Sequence, residues 1–218
     1  LPEGSWTDDS SMTLAALDSI REKKTIDPAD IVSRFALWLQ KGEYTPFGRS
    51  FDIGGGCYQA ILNFLRNPEL GPAWGGSDEW DNGNGSLMRI MPACLYCYLE
   101  EKAGRMTEKE AVRQIHLVSG LTHNHLRAKT AGGLYFFMTR EILEGEGNLT
   151  GRLQQGLNRG FIFYEKDLEN AGQLSYFKRL RNLTELQQMS RENIRSSGYV
   201  IDTMEAAVWS LITTGSLK

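Results

Sequence analysis

Apolar residues recur at intervals of three and four along most of this 218-residue chain, and no segment alternates cleanly between apolar and polar residues. The first spacing places apolar side chains on one face of an α-helix, whereas alternation is typical of a half-buried strand. The pattern therefore predicts a compact, multi-helix, all-α fold, and the length favours a single domain over residues 1–218. The segments that carry the pattern are 12–20, 31–39, 60–65, 87–98, 111–121, 131–143 and 204–212.

Helix-start signals agree with this pattern. Asp27 precedes Pro28, and Thr107 precedes acidic residues, so both positions are expected to cap helices. Residues 160–193 differ, because they are rich in Lys, Arg, Glu and Gln and their periodicity is weaker. One interpretation of this segment is a mobile insert beside a functional site.

Composition narrows the function classes. Charged residues interrupt every long apolar run, and 24 basic against 27 acidic residues give a net charge of -3. A membrane-spanning helix needs a longer apolar run, and proteins that bind nucleic acid normally carry a basic excess. We therefore expect neither a membrane nor nucleic acid as a partner.

The three cysteines indicate a reducing compartment, for which the cytoplasm fits best, because their number is odd and the chain is too long to need disulfides. Cys94 and Cys97 form a C-x-x-C pair, but they share an apolar helix face and no second pair completes a zinc site. We expect both side chains in the core.

The stretch SWTDDSSM runs directly into a helical pattern and allows two interpretations. Thr7, Asp8 and Asp9 could simply start the helix, since Thr and Asp cap helices and acidic residues favour the positive end of the helix dipole. The same three oxygen donors would also suit magnesium, manganese or calcium. Considered alone, the stretch favours the cap.

Two glycine-rich loops precede helical segments. In FDIGGG, Asp52 could cap the next helix, while the glycines that start at Gly54 would let a ligand approach the backbone. In DNGNGSLMRIMP, we expect Asn84, Gly85 and Ser86 to expose amide groups at a helix N-terminus, which is a ready anion site. Neither loop has P-loop or Rossmann spacing, so a cap remains the simpler role for Asp52.

Two further motifs are weak in isolation. His123 and His125 in LTHNH lack a nearby third His or Cys, so a polar pocket or a cap is a better interpretation than a metal site. Tyr199 precedes a helical pattern whose acidic residues, Asp202 and Glu205, we expect to be solvated.

The order of these motifs, however, resembles the ADP-ribosylglycohydrolase family. The resemblance extends from Trp6 to about Trp209 and is carried most specifically by WTDDSSM and GNGSLMRIMP, with FDIGGG, LTHNH and SGYVIDTMEAAVW in the family's order. It implies a compact all-α fold, which agrees with the periodicity.

The resemblance also implies roles for individual residues. Thr7, Asp8 and Asp9 match the run that provides metal ligands for two magnesium or manganese ions, which reverses the isolated interpretation. Asp52 matches a carboxylate beside the ribose. The remaining matches contact ADP-ribose. The cleft lining is matched by Asn84, Gly85 and Ser86. His123 matches its border, Tyr199 matches an aromatic wall, and Gly54 matches a further contact with the substrate.

These roles imply a metal-dependent hydrolase that cleaves the ribose C1 bond of ADP-ribosylated substrates, with arginine-linked ADP-ribose favoured. Asp8, Asp9 and Asp52 are the catalytic candidates, because a carboxylate stabilises oxocarbenium character while a metal activates water. The expected partner is an ADP-ribosylated protein or a small ADP-ribose conjugate.

Two family features do not occur in the sequence: an acidic residue on a helix before Thr7, and a Gly-x-Asp-x-Asp-Thr segment after residues 204–212. Together with the start at Leu1, this suggests a single family domain lacking the N-terminal helix and the C-terminal metal-ligand segment. Two alternatives to an active hydrolase follow: a module that binds ADP-ribose or a nucleotide, and a structural relative without catalysis.

Overall fold

The computed structural model describes residues 2–167 and 169–214, and this part of the chain is helical, with no β-strand. The predicted all-α class is confirmed, and each of the seven predicted segments forms a helix. The α-helices are α1 (Asp8–Lys23), α2 (Pro28–Lys41), α3 (Gly55–Arg66), α4 (Met91–Lys102), α5 (Glu108–Gly120), α6 (Leu126–Glu144), α7 (Leu149–Glu165), α8 (Leu183–Gln187) and α9 (Val200–Thr213). Short 3-10 helices cover Pro68–Trp74, Leu87–Arg89, Ala171–Arg181 and Arg191–Asn193.

The helix starts follow the predicted caps. The Asp27 side chain accepts a hydrogen bond from the Asp30 amide at 3.1 Å, immediately before Pro28 at the first position of α2. Thr107 and Glu110 exchange side-chain to backbone hydrogen bonds at the start of α5. This reciprocal arrangement satisfies two amide donors that the helix itself leaves free.

Helix α6 lies at the centre of the packing and contacts α4, α5, α7 and α9. Cys94 and Cys97 are buried on α4, as predicted, and burial raises the pKa of the Cys97 thiol to about 12. Although α6 is 19 residues long, it carries charged side chains, and no helix within the described ranges is long and apolar enough to cross a membrane.

The interpretation of residues 160–193 as a mobile insert is wrong. Five apolar side chains of this segment are buried, and they follow one another at intervals of three: Leu174, Phe177, Leu180, Leu183 and Leu186. Leu174, Phe177 and Leu180 lie in the 3-10 helix Ala171–Arg181, whose three residues per turn match this spacing, and an α-helical template does not detect it. Leu183 and Leu186 lie in α8. Arg179 of the same segment donates to Glu205 of α9 at 3.4 Å, and Glu205 is buried instead of solvated as expected.

Candidate active site

Thr7, Asp8 and Asp9 lie at the start of α1, but Thr7 does not cap the helix with its side chain. The Thr7 hydroxyl instead donates to Oδ2 of Asp9 at 3.1 Å. Asp8 is buried, whereas Asp9 is exposed. The two acidic residues fit the positive end of the helix dipole, yet a cap alone does not explain why one carboxylate is turned into the protein.

The carboxylates of Asp8, Asp9 and Asp52 influence one another. Burial and, to a smaller extent, the negative charges of Asp9 and Asp52 together raise the pKa of Asp8 to about 6. Within residues 2–167 and 169–214, no group of three or more His, Cys, Asp or Glu side chains is arranged so that it could hold a metal ion. The three carboxylates therefore share an electrostatic field without forming a closed ligand set.

Asp52 does not cap α3, contrary to the simpler sequence interpretation. The helix begins at Gly55, its N-cap residue is Gly54, and no side chain accepts a hydrogen bond from the first turn. Asp52 lies two residues too early for that role and is exposed, with a left-handed backbone (φ 58°). Its carboxylate is consequently free to act elsewhere.

The expectation that Asn84, Gly85 and Ser86 lie exposed at the N-terminus of a long helix is wrong. Gly85 and Ser86 are buried, and they precede a three-residue 3-10 helix, while α4 begins only at Met91. The Asn84 amide donates to the Gly198 carbonyl at 2.8 Å, so it is already paired. The apolar residues that follow draw Gly85 and Ser86 into the core.

The two glycine-rich loops instead converge on the imidazole of His123. A Cβ atom at Gly56 would lie 2.8 Å from Nε2, and a Cβ at Gly85 would lie 2.8 Å from Cε1. A Cβ at Gly83 would lie 3.1 Å from Nε2. The two distances of 2.8 Å are too short for a real Cβ atom and the third is unusually tight, so the glycines allow the backbone to pack against the ring.

His123 is buried and neutral. Burial and the nearby positive charge of Arg89 lower the pKa of His123 to about 4. His125, the second histidine of the motif, accepts from the Arg127 amide with Nδ1 at 3.1 Å and is the N-cap of α6. The expectation of a polar pocket or a cap is therefore confirmed, with one histidine in each role.

Tyr199 lies at the N-cap of α9 and borders a cleft of about 500 Å³, which we call the aromatic cleft, together with Glu79, Trp80, Arg127 and Tyr176. The Arg127 guanidinium lies 3.5 Å from the centre of the Tyr176 ring. Its Nη1 donates to Glu79 at 2.7 Å and to the Tyr199 hydroxyl at 3.0 Å. Trp80 is 93% exposed, so a large apolar ring stands free at this cleft.

A second cleft, of about 700 Å³, brings together two predicted site residues that are far apart in sequence. Asp9 and Asn84 both line it, next to mainly apolar side chains of α4, α6 and α9. The Asn84 amide group donates to the Thr203 hydroxyl of α9 at 3.0 Å, which fixes its orientation at this border.

The sequence model of ADP-ribosylglycohydrolases matches residues 2–218. This chain belongs to the ADP-ribosylglycohydrolase family. Three of the glycine- and histidine-containing loops described above, FDIGGG, NGNG and LTHNH, meet at His123 in this family member.

Individual family members are similar over almost the whole chain. It is 33% identical over 97% of its length to the ADP-ribosylarginine hydrolase Tri1 of Pseudomonas putida (strain GB-1), covering 50% of that protein. It is 27% identical over its full length to the ADP-ribosyl-[dinitrogen reductase] glycohydrolase of Rhodospirillum rubrum, covering 61% of that protein. A Tri1 protein of Serratia proteamaculans (strain 568) is 28% identical, with 52% covered. The chain thus spans about half to three-fifths of these relatives.

Sequence reasoning missed several residues that lie in or near this region. Arg89 is completely buried and donates to the Thr122 hydroxyl at 2.6 Å, and Arg127 is almost completely buried. Arg89 lies within the specific GNGSLMRIMP motif, so the motif could have identified this residue from the sequence. Arg127, Trp80 and Tyr176 have no comparable motif, because only the fold reveals which of them share a cleft.

Proposed function

We propose that this chain carries the ADP-ribose site of a metal-dependent hydrolase that cleaves the ribose C1 bond of ADP-ribosylated arginine and releases ADP-ribose. The observation that carries the proposal is the shared negative field of Asp8, Asp9 and Asp52. Burial of Asp8 and the charges of the other two carboxylates together raise the pKa of Asp8. Arginine is favoured as the linkage because two relatives that align with 97% and 98% of the chain are named ADP-ribosylarginine hydrolases.

The donor types of this cluster suit magnesium or manganese, although its carboxylates do not form a closed ligand set among the described residues. The Thr7 hydroxyl and the carboxylates of Asp8 and Asp9 are hard oxygen ligands, which both ions prefer. A dication also offsets the repulsion felt at Asp8. When bound, such an ion supplies a Lewis acid and lowers the pKa of water. Two ions would need more ligands than these three side chains provide.

The residues of the chain have complementary tasks in the proposed reaction. Water adds to C1 of the ribose, the bond to the guanidinium nitrogen breaks, and the arginine leaves with a proton. Positive charge develops on the sugar ring as this bond breaks, and the exposed carboxylate of Asp52 stabilises it. Asp9, also exposed, accepts the proton of the attacking water.

The first test is release of ADP-ribose from ADP-ribosylarginine by this chain, with magnesium and then with a chelator. We expect release that depends on magnesium. If the chelator leaves the release of ADP-ribose unchanged, the proposed dependence on a metal ion is wrong. If no product forms and ADP-ribose raises the melting temperature equally in both conditions, the chain is a binding module. A structural relative would show neither response.

The aromatic cleft leads to a second prediction. Trp80→Ala should raise KM about tenfold with little change in kcat, because stacking of a base on an aromatic ring contributes about 1–3 kcal/mol. The side chain is 93% exposed, so its removal should not affect the melting temperature. Tyr58→Ala, which removes a half-exposed aromatic ring from α3, is the matched control. An equal effect of both substitutions on KM would contradict a binding role for this cleft.

We also propose that the protein acts in the cytoplasm on ADP-ribosylated proteins or small ADP-ribose conjugates. Cys57, Cys94 and Cys97 are free, buried thiols, which agrees with a reducing compartment.

A further inference from the structure

Trp6 immediately precedes the run of Thr7, Asp8 and Asp9, and it has no task in the reaction proposed above. Its side chain is 36% exposed, which is a large free area for an indole ring. The Nε1–H group of the indole donates to the Tyr44 carbonyl at 2.9 Å, 38 positions away in the chain. The polar edge of the ring is thus already paired, and the exposed remainder is its aromatic surface.

The residue that accepts this hydrogen bond is itself held in place. Tyr44 has a left-handed backbone (φ 62°), a conformation that a residue other than glycine keeps where its surroundings enforce it. Its hydroxyl donates to Asp18 of α1 at 3.1 Å and accepts from Arg34 of α2 at 3.0 Å. Arg34 also pairs with Asp18 at 2.7 Å. Contacts with two helices therefore fix the position of the Trp6 ring.

Trp6 and Asp9 border a third cleft, of about 440 Å³, which we call the Trp6 cleft. The rest of its lining is Ser10, Thr13, Leu14 and Met88. Asp9 also lines the 700 Å³ cleft described above, so this carboxylate is common to both clefts. Among the described residues that line the Trp6 cleft, Asp9 is charged and none is basic.

This lining favours a cation. The face of an indole ring attracts a guanidinium group that lies within about 6 Å of the ring centre. A carboxylate accepts charge-assisted hydrogen bonds from the same group. Asp8 and Asp52 add negative charge, because both belong to the field shared with Asp9. The diphosphate of ADP-ribose would be repelled here, so the Trp6 cleft fits the other end of the substrate.

We propose that the Trp6 cleft is the leaving-group subsite, in which the guanidinium of an ADP-ribosylated arginine lies against the Trp6 ring beside Asp9. In the proposed reaction Asp9 accepts the proton of the attacking water, so a group in this cleft lies next to the bond that breaks. Trp6 selects a positively charged leaving group over a neutral one. That the guanidinium is a leaving group rests on the proposed function, whereas its binding beside Trp6 does not require turnover.

Two matched probes test the binding of a guanidinium group directly. N-acetylarginine amide and N-acetylcitrulline amide have side chains of the same length, and the first is charged where the second is neutral. Each is titrated into the chain, in the presence of magnesium, while proton-nitrogen NMR records the indole N–H signals. The chain has five tryptophans, so Trp6→Phe identifies the signal of Trp6.

We expect the arginine probe to shift the Trp6 signal and to bind at least about fivefold more tightly than the citrulline probe. Equal affinity of the two probes would overturn the proposal. Binding of the arginine probe that leaves the Trp6 signal unmoved would overturn it too, as would the absence of binding. This measurement uses the parent chain, so it does not depend on the folding of a variant.

Kinetics of Trp6→Leu test the role of the ring in the reaction. The substitution should raise KM for ADP-ribosylarginine about tenfold, because the cation loses its aromatic partner. The inhibition constant of the product ADP-ribose should stay unchanged, because ADP-ribose has no arginine. Phe47→Leu is the matched control, since it removes a ring of similar exposure (40%) and should change neither constant. An equal rise of both constants in Trp6→Leu would show that Trp6 only supports the start of α1.

The subsite and the proposed function fail in different measurements. If the chain releases no ADP-ribose but binds the arginine probe at Trp6 in preference to the citrulline probe, the guanidinium site stands and the proposed hydrolysis is wrong. If the chain releases ADP-ribose from ADP-ribosylarginine and Trp6→Leu changes KM no more than Phe47→Leu does, the hydrolysis stands and the subsite is wrong.

Discussion

Asp8→Asn is expected to reduce ADP-ribose release at least about 100-fold, equivalent to about 3 kcal/mol of transition-state stabilisation. The amide keeps the size of the side chain but removes the charge that a bound cation requires. In chelator, the melting temperature should stay the same or rise. Burial and the charges of Asp9 and Asp52 oppose ionisation of Asp8. Because Asn carries no charge, the substitution should raise the free energy of unfolding by about 1 kcal/mol after allowance for solvent screening.

Asp27→Asn is the matched control for this substitution. It removes the same charge from the N-cap of α2, and Asn caps a helix as well as Asp does. The control should release ADP-ribose at the rate of the parent chain. Magnesium should raise the melting temperature of the control and leave that of Asp8→Asn unchanged. Retained activity with a loss of several degrees in Asp8→Asn would show that Asp8 only supports α1.

Acidification from about pH 6.5 to 4 is expected to destabilise the chain through His116 and His123. Burial is the main cause that lowers the pKa of each to about 4, against 6.5 for a free histidine. The unfolded chain therefore binds protons first as the pH falls. The contribution of each histidine to stability is complete above about pH 6.5 and is lost towards pH 4, with an upper value of about 3 kcal/mol for each.

Asp8 acts in the opposite direction over nearly the same range. Its pKa is raised to about 6, so the folded chain takes up this proton at a higher pH than the unfolded chain. Stability from Asp8 therefore increases as the pH falls from about 6 to 4. Urea unfolding in the Asp8→Asn background isolates the histidines and should show the steeper loss.

Substitution of the histidines provides the decisive comparison. His116→Gln and His123→Gln should each remove part of the pH dependence between about pH 4 and 6.5, and the double variant should remove most of it. His125→Asn is the control, because His125 is less buried and Asn retains the capping hydrogen bond to the Arg127 amide. A double variant with the unchanged pH dependence would mean that other groups govern acid unfolding.

Helix α7 and residues 171–181 are two segments for which the sequence pattern predicted no helix. Helix α7 was not predicted, because Gly156 and Gly160 occupy two positions of its buried face and interrupt the apolar pattern. At Gly156, a Cβ atom would lie 2.6 Å from the Phe137 carbonyl oxygen of α6, so a residue that appears polar in the pattern is a close helix contact. Residues 171–181 were interpreted as part of a mobile insert for a related reason. Their apolar side chains recur every three residues, which is not the spacing of an α-helix.

The sequence by itself determined the helical class, most helix positions and the family, because helical periodicity and short motifs depend on residues that are close in the chain. Only the tertiary structure decided that Asp52 leaves α3 uncapped, that glycine-rich loops surround His123 and that Arg89 reaches Thr122, 33 positions away. The burial and charge of such groups depend on contacts between distant segments. Local spacing carries no information about these contacts, and they set the protonation of His123 and Asp8.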